Sequence, residues 1–391
     1  MMKRLSKNLW RLSLALPCMM LAMGCEGNDA AETENNEPIE LRISPKVAAT
    51  RSVIQGGTQS GTGTNVMQNV VVYATGDDYT AAKNNNHAIY TQKNDGSGWE
   101  NNGTPKIYLT NAEATIYAYY PAYQINTTDG SMGTTPISIS GDFSTSSTIN
   151  VSTLAEGTIT PADNADGQAN DITAPSSATE KPIAAAPGET DYMYATSKKA
   201  SNASGQSSIE LTMNHALSMI SFRVYKGNTY MGDGKLTKIV MKYNDSSASI
   251  PTTTEETKET EETATAATGT MKIADGEITP STTAATYIRT IGNEGYTIPE
   301  TAADAKKFSI LVLPTTASIG STIGVTFTID NTKYTTTLTA PTNTDSGNSG
   351  HLLPGKNYLY TVNLSGTELT ISKVEVTAWS EVVVDGDLNI Q

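Results

Sequence analysis

Alternating apolar and polar residues recur along much of the chain and predict short β-strands. The clearest runs cover residues 220–224, 239–243, 323–329 and 358–364. Period-two alternation between clusters of turn-forming residues is typical of antiparallel sheets that pack face to face. The second half of the chain is therefore predicted to be a β-sandwich.

The first half has shorter runs of the same kind. Residues 70–73 are continuously apolar, and strands are also predicted at 107–109, 115–120 and 192–195. Residues 126–190 are rich in Thr, Ser, Gly, Asp and Pro, which predicts loops and edge strands. The polar stretch at 197–208 indicates a linker, and it places a domain boundary near residue 205. The Thr- and Glu-rich stretch at 251–270 is predicted to be a solvated loop.

A separate strand is predicted near the amino end, at residues 39–47. Ile39, Leu41 and Ile43 alternate there with Glu40 and Arg42, as expected of a strand with one buried face. Residues 26–38 before it are acidic and lack large apolar side chains, which is typical of a tether. The Gly/Thr/Ser-rich stretch at 55–65 after it predicts a flexible loop, beside which a protease can reach Arg51.

The first 25 residues have the pattern of an export signal. Four basic residues precede a short apolar stretch, residues 12–24, which is too short to span a bilayer as a mature helix. The sequence LAMGC at 21–25 resembles a lipoprotein signal peptidase site, so Cys25 is predicted to carry lipid. The alternative is an ordinary signal peptide with an incidental cysteine. Cys18 leaves with the signal, so no intramolecular disulfide or Cys-ligated metal site is expected.

Composition and charge narrow the class of protein. Only 17% of the residues are charged, against about 25% in ordinary soluble domains, and β-branched Thr is abundant. This composition disfavours a helical bundle. The net charge is −14, from 26 Lys and Arg against 40 Asp and Glu, so nucleic acid is not an expected partner.

Motifs for catalysis and for cofactor or metal binding are missing from the sequence. The three histidines, His87, His215 and His351, are not spaced as metal ligands, and neither a nucleophile elbow nor a phosphate-binding loop is present. The acidic stretch at 163–167 lacks the residues of a calcium loop. His215 is predicted to open a strand at a sheet end and to be structural there. The sequence therefore predicts no enzyme, no cofactor and no metal.

An ordered set of short stretches resembles the fimbrillin family, the subunits of type V pili. The stretches are ATIYAYYP (114–121), YMYA (192–195), LTMNHALSMISFRV (211–224), FSILVLPTT (308–316) and LLPGKNYLYTVNLSGTELTISKVEVTAW (352–379). The resemblance covers most of the chain after about residue 40. It implies an all-β fold with two transthyretin-like antiparallel β-sandwich domains in tandem. The expected division is a signal peptide at 1–24, a lipidated propeptide at 25–51, and domains at 52–205 and 206–391.

The resemblance also implies a route of maturation and assembly. An arginine-specific protease would cut between Arg51 and Ser52, which removes the lipid on Cys25 that holds the precursor in the outer membrane, together with strand 39–47. Assembly with other pilin subunits on the cell surface would follow by donor-strand exchange, in support of adhesion or biofilm formation. The candidate donor segment is 381–391, with the apolar residues Val382, Val383, Val384, Leu388 and Ile390.

Several alternatives stay open at this stage. Residues 381–390 are equally compatible with the last strand of their own domain, and Arg51 could be left uncut. The runner-up function is a monomeric surface lipoprotein that binds a glycan or a host ligand, with Trp99 or Tyr119 as an aromatic platform. The sequence does not distinguish a stalk subunit from a tip or anchor subunit.

Overall fold

The computed structural model describes residues 37–47, 67–83, 85–93, 98–101, 103, 105–160, 183–204, 207–243, 262–282, 284–292, 294–316, 318–319, 323–342, 348–366 and 368–378. Within these ranges the fold is almost entirely β, which confirms the predicted class. The helices in the same ranges are short 3₁₀ turns at Ala81–Lys83, Asn202–Ser204 and Ala302–Asp304. None of the helices found there has the length and apolar character needed to cross a membrane.

The strands are numbered in chain order. Those before residue 205 are β1 (Ile39–Glu40), β2 (Arg42–Val47), β3 (Asn69–Thr75), β4 (His87–Gln92), β5 (Trp99–Glu100), β6 (Tyr108–Leu109), β7 (Ala114–Tyr120), β8 (Tyr123–Ile125), β9 (Met132–Pro136), β10 (Ile139–Ser140), β11 (Thr148–Ser152), β12 (Glu156–Ile159), β13 (Ile183–Ala184), β14 (Met193–Ala195) and β15 (Lys198–Ala200). Those after it are β16 (Ser208–His215), β17 (Ser218–Lys226), β18 (Lys235–Tyr243), β19 (Thr268–Lys272), β20 (Ile278–Thr282), β21 (Ala285–Ile291), β22 (Tyr296–Thr297), β23 (Lys307–Val312), β24 (Gly324–Ile329), β25 (Thr332–Thr337), β26 (Lys356–Ser365) and β27 (Glu368–Ala378).

The N-terminal sheet has the strand order β2-β16-β14-β7-β3-β4-β5, and β15 also pairs with β7. One face packs on a cluster of buried side chains that we call the N-terminal core; it includes Leu41, Ile43, Val70, Val72, Tyr90, Ile116, Leu211 and Met213. Cα atoms of β2 and β5 approach within 8 Å of each other. The sheet therefore curls until its two end strands lie close together around this core.

Two further sheets, formed mainly by strands of the second half of the chain, pack face to face. Their strand orders are β12-β21-β18-β24-β25 and β13-β23-β17-β26-β27, and β22 pairs with β18. Phe222 and Phe327, one from each sheet, meet edge to face with ring centroids 5.4 Å apart. In each predicted run, the apolar residues at every second position are buried, as the alternation predicts. The transthyretin-like detail of the two domains stays a prediction.

Hydrogen-bonded strand pairs cross the predicted boundary at residue 205 in both directions. β16 lies in the N-terminal sheet, whereas β11, β12 and β13 pair with β19, β21 and β23 of the second half. The predicted linker itself contains β15. A polar stretch shows where a strand run is interrupted, but it carries no information on which distant strands pair. All the described residues belong to one compact unit.

The prediction of a solvated loop over residues 251–270 is wrong for residues 265–270, whereas residues 262–264 form no strand. Thr265 forms a β-bridge with Thr286, Ala267 is buried, and β19 begins at Thr268. β19 then joins β10, β11 and β20 in a small sheet. Small residues such as Ala267 and Gly269 face inward there, so the stretch shows no apolar alternation that would reveal a strand.

Candidate functional site

Residues 39–47, which we call the edge segment, form one end of the N-terminal sheet. β1 pairs antiparallel with β6, and β2 then runs parallel to β16 over its whole length. Arg42 lies opposite Ser208, and Val47 lies opposite Met213. β2 is the end strand in the sheet order. The predicted strand at 39–47 is therefore confirmed, and it is paired at an edge.

The edge segment places apolar side chains in the N-terminal core. Leu41 and Ile43 are 1% and 5% exposed, and Pro45 is also buried, whereas Arg42, Ser44 and Lys46 are exposed. Ile39 departs from the predicted face, because it is 38% exposed. Proline has no backbone N–H to donate, and an end strand tolerates it for that reason. Burial of the leucine and the isoleucine stabilises the closed fold by about 1.5–3 kcal/mol each.

Besides the strand pairing, further hydrogen bonds hold the backbone of the edge segment and of Glu37, which lies two residues before it. The buried Tyr90 hydroxyl donates to the carbonyl oxygen of Leu41 at 2.7 Å, and the Asn202 side-chain amide donates to that of Glu37 at 2.6 Å. The backbone N–H groups of Leu41 and Arg42 donate to the carbonyls of Ile107 and Ser207. Burial raises the pKa of the Tyr90 phenol, and the Glu40 carboxylate adds to the shift, so the hydroxyl stays a donor at neutral pH. Backbone contacts of this kind do not depend on the side chains of the bound strand.

Two ion pairs flank the edge segment on its solvent side. Lys106 lies 3.0 Å from the Glu40 carboxylate, and Lys46 lies 2.6 Å from that of Glu210. The hydrogen bond that Lys106 donates to the Glu40 carboxylate raises the pKa of the Lys106 ammonium. The Lys46–Glu210 side chains are largely exposed and the Lys106–Glu40 side chains are partly exposed, so the pairs add little stability. The Glu40–Lys106 pair favours one register of the edge segment, because a shift of the segment along the sheet would move Glu40 away from Lys106.

Removal of the edge segment would expose the edge of β16 and the apolar groove that the edge segment now covers. β16 would lose its parallel neighbour, and the apolar positions filled by Leu41 and Ile43 would face water. An unpaired strand edge beside an apolar groove binds extended segments of other chains by adding them as strands. The geometry therefore suits strand addition once residues 39–47 are gone.

The other predicted site residues lie outside the described residues. These are Cys25, Arg51, Ser52, Val382, Val383, Val384, Leu388 and Ile390. Val47 is the last described residue before Arg51, and Ala378 is the last before the candidate donor segment. The lipidation, cleavage and donor assignments stay predictions.

Two buried ionisable pairs were missed by sequence reasoning. Asp191 and His215 lie within 3.0 Å of each other, and Glu189 pairs with Arg289. His215 is the last residue of β16, so it ends a strand and does not open one as predicted. Burial raises the pKa of the Asp191 carboxyl, and His215 opposes that shift. No group of three or more His, Cys, Asp or Glu residues suited to a metal ion occurs among the described residues.

The two aromatic residues weighed as a glycan platform differ in exposure. Tyr119 is only 2% exposed and belongs to the core, so its ring cannot stack on a sugar. Trp99 is partly buried against the N-terminal core in β5. The structure therefore does not bring the two rings together on a surface.

Comparisons with known proteins give a family and a fold. The sequence matches the fimbrillin-like family over residues 50–379. The fold is similar to that of a candidate cell adhesion protein from Bacteroides uniformis, with a TM-score of 0.51 and 16% identity over 88% of this chain and 99% of that chain. A candidate cell adhesion protein from Bacteroides ovatus gives a TM-score of 0.50 and 15% identity over 89% and 99%. A fimbrial protein from Bacteroides vulgatus gives 0.42 and 13% over 88% and 99%.

A comparison with curated proteins finds no match. The family match alone spans far more than half of the 391 residues. The match includes all of the stretches that carry the resemblance, at 114–121, 192–195, 211–224, 308–316 and 352–379. The chain belongs to the fimbrillin-like family.

Proposed function

We propose that this protein is a structural subunit of a surface fimbria, without catalytic activity. It is exported as a lipoprotein precursor, processed after Arg51 and assembled by donor-strand exchange. The observation that carries the proposal is the position of the edge segment, which seals the N-terminal core from the end of its sheet. Membership in the fimbrillin-like family supports a role at the cell surface in adhesion.

The order of features along the chain supports processing as the step that opens the groove. Cys25 precedes the edge segment and Arg51 follows it, with only residues 48–50 between Val47 and Arg51. One cut after Arg51 would separate both the lipid and the sealing strand from the rest of the chain. Release from the membrane and exposure of the groove are then the same event.

Assembly requires a strand that replaces the one removed. The candidate is the carboxyl-terminal segment 381–391 of another subunit, which supplies Val382, Val383, Val384, Leu388 and Ile390 as apolar residues. A neighbouring subunit that provides this strand would restore the backbone hydrogen bonds of β16 and cover the groove. Other pilin subunits and an arginine-specific protease are therefore the expected partners.

The first experiment is intact-mass measurement and amino-terminal sequencing of the protein sheared from the cell surface. We expect high-molecular-weight material whose chains begin at Ser52. An Arg51→Ala variant should stay lipid-anchored and monomeric. Arg42→Ala is the matched control, because it removes an arginine that is not at the cleavage site, and it should assemble normally.

A different result would favour the alternative function. A monomer that begins at lipidated Cys25 would contradict processing and polymerisation together. It would support an anchored surface lipoprotein that binds a glycan or a host ligand.

A further inference from the structure

A four-residue pattern in the edge segment recurs near the carboxyl end of the sequence. Glu40-Leu41-Arg42-Ile43 has the order acid, leucine, polar residue, isoleucine, and Asp387-Leu388-Asn389-Ile390 repeats that order. We propose that residues 387–390 of a second copy occupy the positions of residues 40–43 once the edge segment has been removed. This inference rests on the proposed function, and it adds the register of the exchange and the residues that determine it.

Each of the four positions in the pattern corresponds to a different feature of the groove. The Leu41 and Ile43 side chains are buried in the N-terminal core, so these two positions require large apolar residues. Arg42 lies between them on the exposed face, so its position requires a polar residue. The Glu40 carboxylate lies 3.0 Å from Lys106, so a negative charge is favoured at the first position.

The proposed register satisfies all four features. Leu388 and Ile390 carry the same side chains as Leu41 and Ile43, so they would fill the same volumes in the core. Asn389 would lie on the exposed face, and Asp387 would lie next to Lys106. Tyr90 would donate its hydroxyl hydrogen bond to the Leu388 carbonyl, as it now donates to the Leu41 carbonyl.

The other apolar run of the tail fits the groove less well. If Glu381-Val382-Val383-Val384 occupied the four positions, Val383 would expose an apolar side chain where Arg42 now lies in water. Val382 would be one methylene too small for the volume of Leu41 and would leave a cavity. Asp387 would then take the place of Lys46, where it would meet the like charge of Glu210.

Disulfide trapping distinguishes the two registers. Ser208 lies opposite Arg42 in the β2–β16 pairing, and both residues are exposed. The proposed register puts Asn389 opposite Ser208, whereas the competing register puts Val383 there. The full-length chain with Ser208→Cys and Asn389→Cys is cut with an arginine-specific protease, oxidised and run on a non-reducing gel. Both native cysteines precede residue 51, so a fully cut chain contains only the introduced pair.

We expect the Asn389→Cys pair to form a ladder of covalently linked chains. The matched pair Ser208→Cys and Val383→Cys should form about tenfold less, because its thiols are not held at a high effective concentration. A positive control is Arg42→Cys with Ser208→Cys in the uncut chain, which should close a disulfide within one chain and so verify the geometry.

Three outcomes would overturn the proposed register. They are linkage through Val383→Cys instead, closure of the Asn389→Cys pair within a single chain, and association without any 208–389 bond. In the first and third outcomes the cut chains still assemble, so the proposed function would stand while the register would not. If size-exclusion chromatography shows that the cut chains never associate, the proposed assembly fails together with the register.

Discussion

Glu189 and Arg289 form an ion pair in which neither side chain is exposed to solvent. One carboxylate oxygen of Glu189 accepts hydrogen bonds from Nε and Nη2 of Arg289 at 3.0 and 2.7 Å, and the other accepts from the Leu311 backbone N–H at 2.9 Å. Arg289 also donates to the carbonyls of Leu154 and Ala155. The pair therefore ties β21 and β23, in opposite sheets, to the turn before β12.

Removal of one partner of this pair should strongly destabilise the fold. Arg289→Met leaves the Glu189 carboxylate buried without its cation, and we expect the free energy of unfolding to fall by about 3–5 kcal/mol. Urea denaturation of the purified chain measures it. Arg289→Met combined with Glu189→Leu should lose less than the sum of the two single changes. A single variant within about 0.5 kcal/mol of the wild type would contradict this account of the pair.

Leu41 should stabilise the precursor but not the processed protein. In the uncut chain Leu41→Ala creates a cavity in the N-terminal core, and we expect a loss of about 2–5 kcal/mol in the free energy of unfolding. Arg42→Ala, on the exposed face of the same strand, should change it by less than about 0.5 kcal/mol. After cleavage at Arg51 neither variant should differ from the wild type. Equal effects of the two substitutions in the uncut chain would contradict the burial of Leu41.

The Tyr90 hydroxyl should contribute to the retention of the edge segment. Tyr90→Phe leaves the buried Leu41 carbonyl without this donor, and we expect a cost of about 1–3 kcal/mol, measured by urea denaturation of the uncut chain. Tyr108→Phe is the matched control, since Tyr108 is 42% exposed. The hydrogen bond would be unimportant if both variants unfolded at the same urea concentration.

Asp330 should make the stability of the sandwich depend on pH. It accepts hydrogen bonds from the Tyr230 hydroxyl and from the N–H groups of Gly234 and Lys235 at 2.6–2.8 Å. Burial raises the pKa of this carboxyl, but the hydrogen bonds outweigh it and the net pKa is lowered. The stabilisation is therefore fully present above the ordinary carboxyl pKa of about 4 and is lost as pH falls through the lowered value.

The variant for this prediction is Asp330→Asn, which keeps a residue type suited to the positive φ of 48° at this turn. We expect it to unfold about 1.5–3 kcal/mol more easily than the wild type at pH 7, with the difference shrinking below about pH 4. Asp233→Asn, an exposed neighbour, should change stability by less than about 0.5 kcal/mol. A difference for Asp330→Asn that stays constant from pH 7 to pH 3 would contradict the assignment.

Strand positions and buried faces followed from local sequence patterns. The alternation of apolar and polar residues in 220–224 and 358–364 predicts which side chains point into the core, because successive residues of a strand face opposite sides of the sheet. The same alternation predicted the burial of Leu41 and Ile43. Ala267 and Gly269 face inward but are small, so no alternation of large apolar residues indicates a strand there. The prediction of a loop was wrong for that reason.

Local alternation was enough to predict the all-β class and the strand at 39–47, and the ordered motifs were enough to recognise the family resemblance. The folded chain was needed to establish that this strand is the end strand beside β16, that β16 pairs with strands before the predicted boundary, and that Glu189 meets Arg289. The difference lies in the range of the interactions. Alternation is set by the pleat of one strand, whereas the β2–β16 pairing and the Glu189–Arg289 ion pair join residues 100 or more positions apart in the chain.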